Sequence, residues 1–184
     1  MPIEIEKKYR LTKQQRERIV RRLRELKAKS LKEEFEENTL YRGGVINLGT
    51  RALRLRKVGQ RAFFTFKERL PTKSPIKHQI EHEAEVRNAD ALDAILNALG
   101  FEPALVYEKR RTRWNVDGVK VLIDELPFGL FMEIEASESE IVRVEKLLGA
   151  SRVRAEMETY PSLTAKLGKR RGKLVEARFA KPRR

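Results

Sequence analysis

The chain of 184 residues has no cysteine, two histidines, 41 Lys and Arg against 27 Asp and Glu, and a formal charge of +14. A single domain of this size buries an adequate core unaided, and the lack of cysteine excludes disulfides, iron–sulfur clusters, thiolate zinc and a thiol nucleophile. No run approaches the ~18 apolar residues of a membrane span, and no basic region followed by an apolar stretch opens the chain, so a cytoplasmic protein is expected.

A strand is expected over residues 3–10, where Glu4, Glu6 and Lys8 alternate with Ile3, Ile5 and Tyr9 and so occupy opposite faces. Thr12 and Gln15 stand at capping-box spacing ahead of a helix expected over 12–29, with Ile19, Val20, Leu23 and Leu26 as its apolar stripe. Strands follow over 35–42, 51–57, 61–69 and 79–87. Arg54 and Arg56 share one face of the second of these; Phe63, Thr65 and Lys67 oppose Phe64 and Phe66 on the third; Glu81, Glu83 and Glu85 share a face of the fourth. A helix over 88–99 ends at Gly100. Three more strands are expected over 105–116, 119–125 and 130–136. In the first, Tyr107, Lys109, Arg111 and Arg113 oppose Val106, Thr112 and Trp114; in the last, Phe131, Glu133 and Glu135 oppose Leu130, Met132 and Ile134. A third helix over 137–148 has Ser137 and Glu140 at capping-box spacing and ends at Gly149.

Short turns such as Val58-Gly59-Gln60 and Asp117-Gly118 make neighbouring strands antiparallel. A charged strand face ordinarily meets water, but here it recurs in nearly every strand while the apolar faces have amphipathic helices to cover them. The charged faces then converge, which gives an α+β fold: an eight-stranded antiparallel β-barrel forming a tunnel, with helices packed outside. No Pro/Gly/Ser-rich linker interrupts residues 1–167, so these are one domain. Residues 168–184 form a basic C-terminal tail with eight cations and one acid, half of the net charge. That tail is either a solvated segment, a latch over one tunnel mouth, or a contact for nucleic acid or polyphosphate.

Unpaired buried ions cost several kcal/mol each, so such an interior requires mutual pairing, water or a charged ligand. Lys8, Arg54, Arg56, Lys67, Lys109 and Arg111 suit a polyanion, with arginine's planar fork matched to phosphoryl oxygens. Glu4, Glu6, Glu83, Glu85, Asp124, Glu133 and Glu135 exceed what those cations need. Clustered carboxylates without His or Cys describe a hard-cation site for Mg²⁺ or Mn²⁺. Together these are the two halves of a phosphoryl-transfer site. Lys8 could instead be a structural partner of Glu6. Phe63, Tyr107 and Phe131 either pack or stack on a base, Trp114 falls on the helix-covered face, and His78 and His82 face the surface.

Glu4-x-Glu6-x-Lys8, Leu53-Arg54-Leu55-Arg56, Phe64-Thr65-Phe66-Lys67, the strand of Glu81, Glu83 and Glu85, Lys109-x-Arg111, Ile123-Asp124, the block from Gly129 to Glu135, and Thr159-Tyr160-Pro161-Ser162-Leu163 follow one another in an order similar to the CYTH proteins, the triphosphate tunnel metalloenzymes. The resemblance spans residues 2–167. It implies metal ligation by Glu4, Glu6, Glu133 and Glu135, phosphate binding by Arg54, Arg56, Lys67, Lys109 and Arg111, and catalytic roles for Glu6 and for Lys8, which would orient or deprotonate water. Glu81, Glu83, Glu85, Arg113 and Asp124 are further candidate lining residues. One departure from the family pattern is that the basic residue often found just before the acids of the fifth strand is not evident here, where Lys77-His78-Gln79 occupies that stretch. The expected function is a metal-dependent triphosphatase acting on inorganic triphosphate or a small organic triphosphate. The alternatives are a class IV adenylate cyclase, converting ATP to cyclic AMP and pyrophosphate, and a non-catalytic binder of polyphosphate or nucleic acid. A homodimer is plausible for such a protein, and no membrane partner is expected.

Overall fold

The computed structural model describes residues 3–46 and 48–180. In chain order the elements are β1 (Ile3–Leu11), α1 (Lys13–Glu25), β2 (Lys29–Ser30), β3 (Glu34–Arg42), β4 (Arg51–Val58), β5 (Arg61–Arg69), β6 (Ile76–Val86) and α2 (Ala89–Ala98). There follow β7 (Glu102–Val116), β8 (Val119–Leu126), β9 (Gly129–Glu135), α3 (Glu138–Leu147), α4 (Tyr160–Leu167), β10 (Lys169–Arg171) and β11 (Leu174–Ala177). Eight of the strands close on themselves in the order β7-β3-β4-β5-β6-β1-β9-β8, with β8 pairing back onto β7. Every pairing around this ring is antiparallel. The eight-stranded barrel expected from period-2 alternation is present, with the helices outside.

The outward faces are apolar and covered. Ile19 and Leu23 of α1 and Ile141 and Val144 of α3 pack with Tyr9, Val121, Met132 and Ile134, all almost wholly buried. Side chains of this kind contribute roughly 1.5–3 kcal/mol each on burial. Leu96 of α2 packs with Tyr41, Leu53 and Leu55 on the other flank. Trp114 belongs to the first of these clusters, as its strand face predicts.

Several boundaries differ from expectation for local reasons. Helix α1 stops at Glu25 because Lys27 turns left-handed (φ 54°) and the Ala28 N–H reaches back to the Leu23 carbonyl at 3.0 Å. Lys29–Ser30 then joins the edge of β7 as a short strand. Strand β6 begins three residues early, at Ile76, which carries Lys77 onto the face of Gln79 and Glu81. Helix α4 was not anticipated; Thr159 caps it by accepting from the Ser162 N–H, and Pro161 sits in its first turn.

Most of the basic tail is folded onto the barrel wall. β10 and β11 form a hairpin, and β11 runs parallel to β7 with Val175 beside Leu105, on a stretch of β7 that precedes its pairing with β8. Arg178 then pairs with Glu37 (2.5 Å) and Glu108 (3.0 Å) on the outer face of β3 and β7. The last four residues, 181–184, lie outside the described residues. No helix among the described residues is long and apolar enough to cross a membrane.

Candidate active site in the barrel lumen

The barrel encloses a cavity of about 580 Å³, and the predicted residues meet in it: Glu4, Glu6, Lys8, Arg54, Arg56, Lys67, Glu81, Glu83, Lys109, Arg111, Arg113, Glu133 and Glu135 all line its wall. Two candidates sit elsewhere. Glu85 is exposed towards the far end of β6. Asp124 is wholly buried beneath the lining side chains, where it accepts from Arg111 Nε (2.7 Å) and Nη2 (2.5 Å) and from the Tyr160 hydroxyl (2.8 Å).

Strands β1 and β9 lie four places around the ring from β3 and β4, so their inward side chains face each other across the lumen. On the acidic side, Glu4, Glu6 and Glu135 each offer a carboxylate oxygen within 4.8 Å of the others. Register accounts for this: Glu6 is the cross-strand partner of Glu135, and Glu4 stands two residues from Glu6 on the same face. Burial, followed by the neighbouring Glu133 and then Glu4, raises the Glu6 carboxyl above its ordinary value although Lys8 and Lys77 oppose the shift. Glu4 shows the opposite balance. Burial disfavours its charge, but Lys67 at 2.6 Å and a hydrogen bond shared with Glu81 together outweigh that and hold the group at about 2. An all-oxygen cluster of three carboxylates fits a hard divalent cation.

Glu133, the fourth expected metal ligand, is engaged differently. It lies 3.2 Å from Lys8 Nζ and 2.5 Å from Arg111 Nη2, and although burial opposes its charge, Lys8, Arg111 and Lys109 drive its carboxyl far below the carboxylate range. It therefore positions one lysine head, that of Lys8, and one arginine head, that of Arg111. Lys8 is almost wholly buried, with its Nζ 3.7 Å from the Tyr160 ring centroid.

On the basic side, Arg56 donates to both oxygens of Glu83 (2.9 and 3.0 Å), and Arg54 donates to Thr65 Oγ1 (3.2 Å). The Nε atoms of Arg54 and Arg56 and both polar side-chain atoms of Asn38 are buried without a hydrogen-bond partner. Such groups cost about 1–3 kcal/mol each when left unmet, and a ligand's oxygens could accept from the two arginine Nε–H donors.

Four further residues complete or back the wall, of which Glu34 and Glu36 carry no signal in the sequence pattern. Glu36 is wholly buried, 3.3 Å from Lys109 and 3.4 Å from Arg113. Glu34 pairs with Arg113 and Arg61. Lys77 is buried 3.7 Å from Glu6, and burial together with Lys8 pushes its ammonium down to about 8. Tyr160, brought in by α4, closes one end of the lumen over Lys8 and Lys109.

Glu36 makes the barrel acid-labile in a defined window. Burial opposes its charge, but Lys109, Arg111 and Arg56 lower its carboxyl from 4.5 to about 2. A depressed folded-state value means the stabilisation is complete above pH 4.5 and disappears as the pH falls towards 2. The contribution is about 3 kcal/mol, so Glu36→Gln is expected to flatten the stability curve across this window in chemical denaturation at stepped pH. A curve as steep as that of the unsubstituted protein would show that Glu36 contributes nothing there.

A closed antiparallel barrel whose lumen is lined by carboxylates and guanidinium groups together defines a tunnel protein. The chain belongs to the CYTH domain family, whose signature matches residues 2–165. It is 28% identical over 152 residues, 79% of this chain and 83% of the other, to "Putative adenylate cyclase MJ0240" of Methanocaldococcus jannaschii. Among solved structures it is similar to the PH1012 protein of Pyrococcus horikoshii, with 27% identity, a TM-score of 0.75, and coverage of 87% of this chain and 98% of that one. It also shares its fold with the Hippeastrum protein HpAC1, described as a putative adenylyl cyclase with a dominant triphosphatase activity, at 19% identity, a TM-score of 0.66 and coverage of 84% and 90%.

Proposed function

We propose that this protein is a triphosphatase that hydrolyses inorganic triphosphate or a small organic triphosphate with Mg²⁺ or Mn²⁺. The observation that carries this reading is the opposition, across one lumen, of the Glu4–Glu6–Glu135 cluster and the Arg54–Arg56 wall. Glu4, Glu6 and Glu135 would hold the cation, which supplies charge neutralisation at phosphoryl oxygens. Arg54 and Arg56 offer their unpaired Nε–H groups to the chain of phosphates, and Lys67, Lys109 and Arg111 neutralise the remaining oxygens. Lys8, held between Glu133 and the Glu158 carbonyl, stands where it can orient a water molecule against the terminal phosphorus. Attack by that water breaks the phosphoanhydride bond and releases orthophosphate. Most of the rate enhancement then comes from positioning and from fixed charges in a site that excludes bulk water.

The name of the archaeal relative supports a second reading, cyclisation of ATP at the same site. Product analysis separates the two. With Mg²⁺ or Mn²⁺, the protein is expected to release orthophosphate from inorganic triphosphate. Cyclic AMP and pyrophosphate from ATP would establish the cyclase instead, and no product from either substrate would overturn both and favour a binding role.

A further inference from the structure

A second cavity, of about 670 Å³, lies outside the barrel between α1 and the outer face of β7 and β8. Its floor is the cross-strand pair Thr112 and Ile123, with Trp114 beside them. Arg16, Val20 and Arg24 line it from the helix at a spacing of four residues, which sets them on one face, and Lys27 follows where the chain turns left-handed. Val20 and Ala28 pack on the same core cluster as Trp114 and Ile123, so the inner part of the cavity is apolar. Its rim is cationic. Arg16, Arg24 and Lys27 face a single acid, Glu17, and make no ion pair among the described residues, whereas their neighbours Arg21 and Arg22 share Glu25. Two donors of this wall, the Nε–H of Arg16 and the indole N–H of Trp114, are buried without a hydrogen-bond partner, and Trp114 is only 8% exposed.

From these observations we infer that this cavity is a second binding site, separate from the lumen, for a small organic anion with an apolar body. Its volume suits one small molecule. The anionic head meets Arg16, Arg24 and Lys27 at the rim, and the body lies against Val20, Ile123 and the Trp114 ring. Both unpartnered donors are shielded from water, so they reach the ligand when the Arg16 side chain, which no ion pair restrains, turns towards it; each then gains the acceptor it lacks. An inorganic anion would leave the apolar floor uncovered, and a neutral apolar molecule would leave the three cations unmet. Thr112 and Trp114 lie on the face of β7 opposite Arg111 and Arg113, which line the lumen, so the barrel wall stands between the two sites.

The test titrates the protein with octyl phosphate and follows the emission of Trp114, the single tryptophan of the chain. Octyl phosphate is expected to change that emission saturably. Octanol and inorganic phosphate, which carry half of the chemistry each, are expected to bind at least about tenfold more weakly by calorimetry. Arg16→Gln combined with Arg24→Gln is expected to weaken octyl phosphate by about tenfold or more, as loss of a charged hydrogen-bond donor does. Arg56→Gln and Arg61→Gln, which alter the lumen, are expected to leave its affinity unchanged, with melting curves checking that each variant is folded. The inference is overturned if octyl phosphate fails to bind or binds no better than octanol, if its affinity survives the paired substitution, or if a lumen substitution weakens it as much as the pair does. None of these results bears on the triphosphatase, whose turnover is a separate measurement.

Discussion

Glu6→Gln is expected to lower kcat/KM by about 100-fold or more while the melting temperature without divalent metal stays level or rises. The two outcomes share one cause. Glu6 is buried beside Glu133 and Glu4, and its raised carboxyl value means that its charge is disfavoured more in the folded protein than in the unfolded chain. The neutral isostere removes that penalty at neutral pH, at the expense of a carboxylate 3.7 Å from Lys77. A divalent cation acts in the opposite sense. If held by the native cluster as proposed, and not by the unfolded chain, Mg²⁺ or Mn²⁺ is expected to raise the melting temperature of the unsubstituted protein with a dependence on metal concentration. Glu6→Gln should lose most of that response. Thermal unfolding with and without metal, set beside turnover, checks this directly. A variant that melts lower and responds to metal as before would show that Glu6 is a structural partner of Lys77 and not part of a cation site.

The barrel was legible because its strands have two unlike faces. Glu4, Glu6 and Lys8 against Ile3, Ile5 and Tyr9 leave little choice about which side meets a core, and the same contrast holds for Lys109 and Arg111 and for Glu133 and Glu135. β3 gives no such signal. Inward Glu34, Glu36, Asn38 and Leu40 mix polar and apolar types, and so do outward Phe35, Glu37, Thr39 and Tyr41, so Glu36 could not be assigned to the lumen by pattern. Lys77 was discoverable: it shares parity with Gln79 and Glu81 once the strand is allowed to start at Ile76. Helix α4 carries the start signal Thr159-x-x-Ser162 with Pro161, but at eight residues it is too short for an apolar stripe to show. In the tail, charge masked structure. Gly172, at a φ of 60°, lies in the turn between β10 and β11, yet the surrounding lysines and arginines resemble a solvated segment. Composition sees net charge, whereas a strand needs only an edge to pair with, and β7 provides one.

Arg111→Met is expected to destabilise the protein by about 3–5 kcal/mol, lowering the melting temperature by roughly 10 °C, because it strands two buried carboxylates at once. Arg111 is buried, and its Nε and Nη2 hold Asp124 and Glu133 at 2.5–2.7 Å. Those bonds engage Nε and Nη2 and leave Nη1 for the proposed phosphate contact, so the residue's first role is in the wall. Once Arg111 is gone, Asp124 keeps the Tyr160 hydroxyl at 2.8 Å and Lys109 at 3.5 Å, but Glu133 depends on Lys8. Lys8 would then be held more tightly against Glu133 and drawn from the position proposed for orienting water, so turnover should fall further than the loss of folded protein explains. Adding Asp124→Asn to Arg111→Met removes one of the stranded charges. The double variant is expected to be more stable than the single, a coupling that two independent surface pairs would not show. Urea denaturation of the single and double variants measures it, and strictly additive losses would mean that the Arg111–Asp124–Glu133 arrangement does not act as a unit.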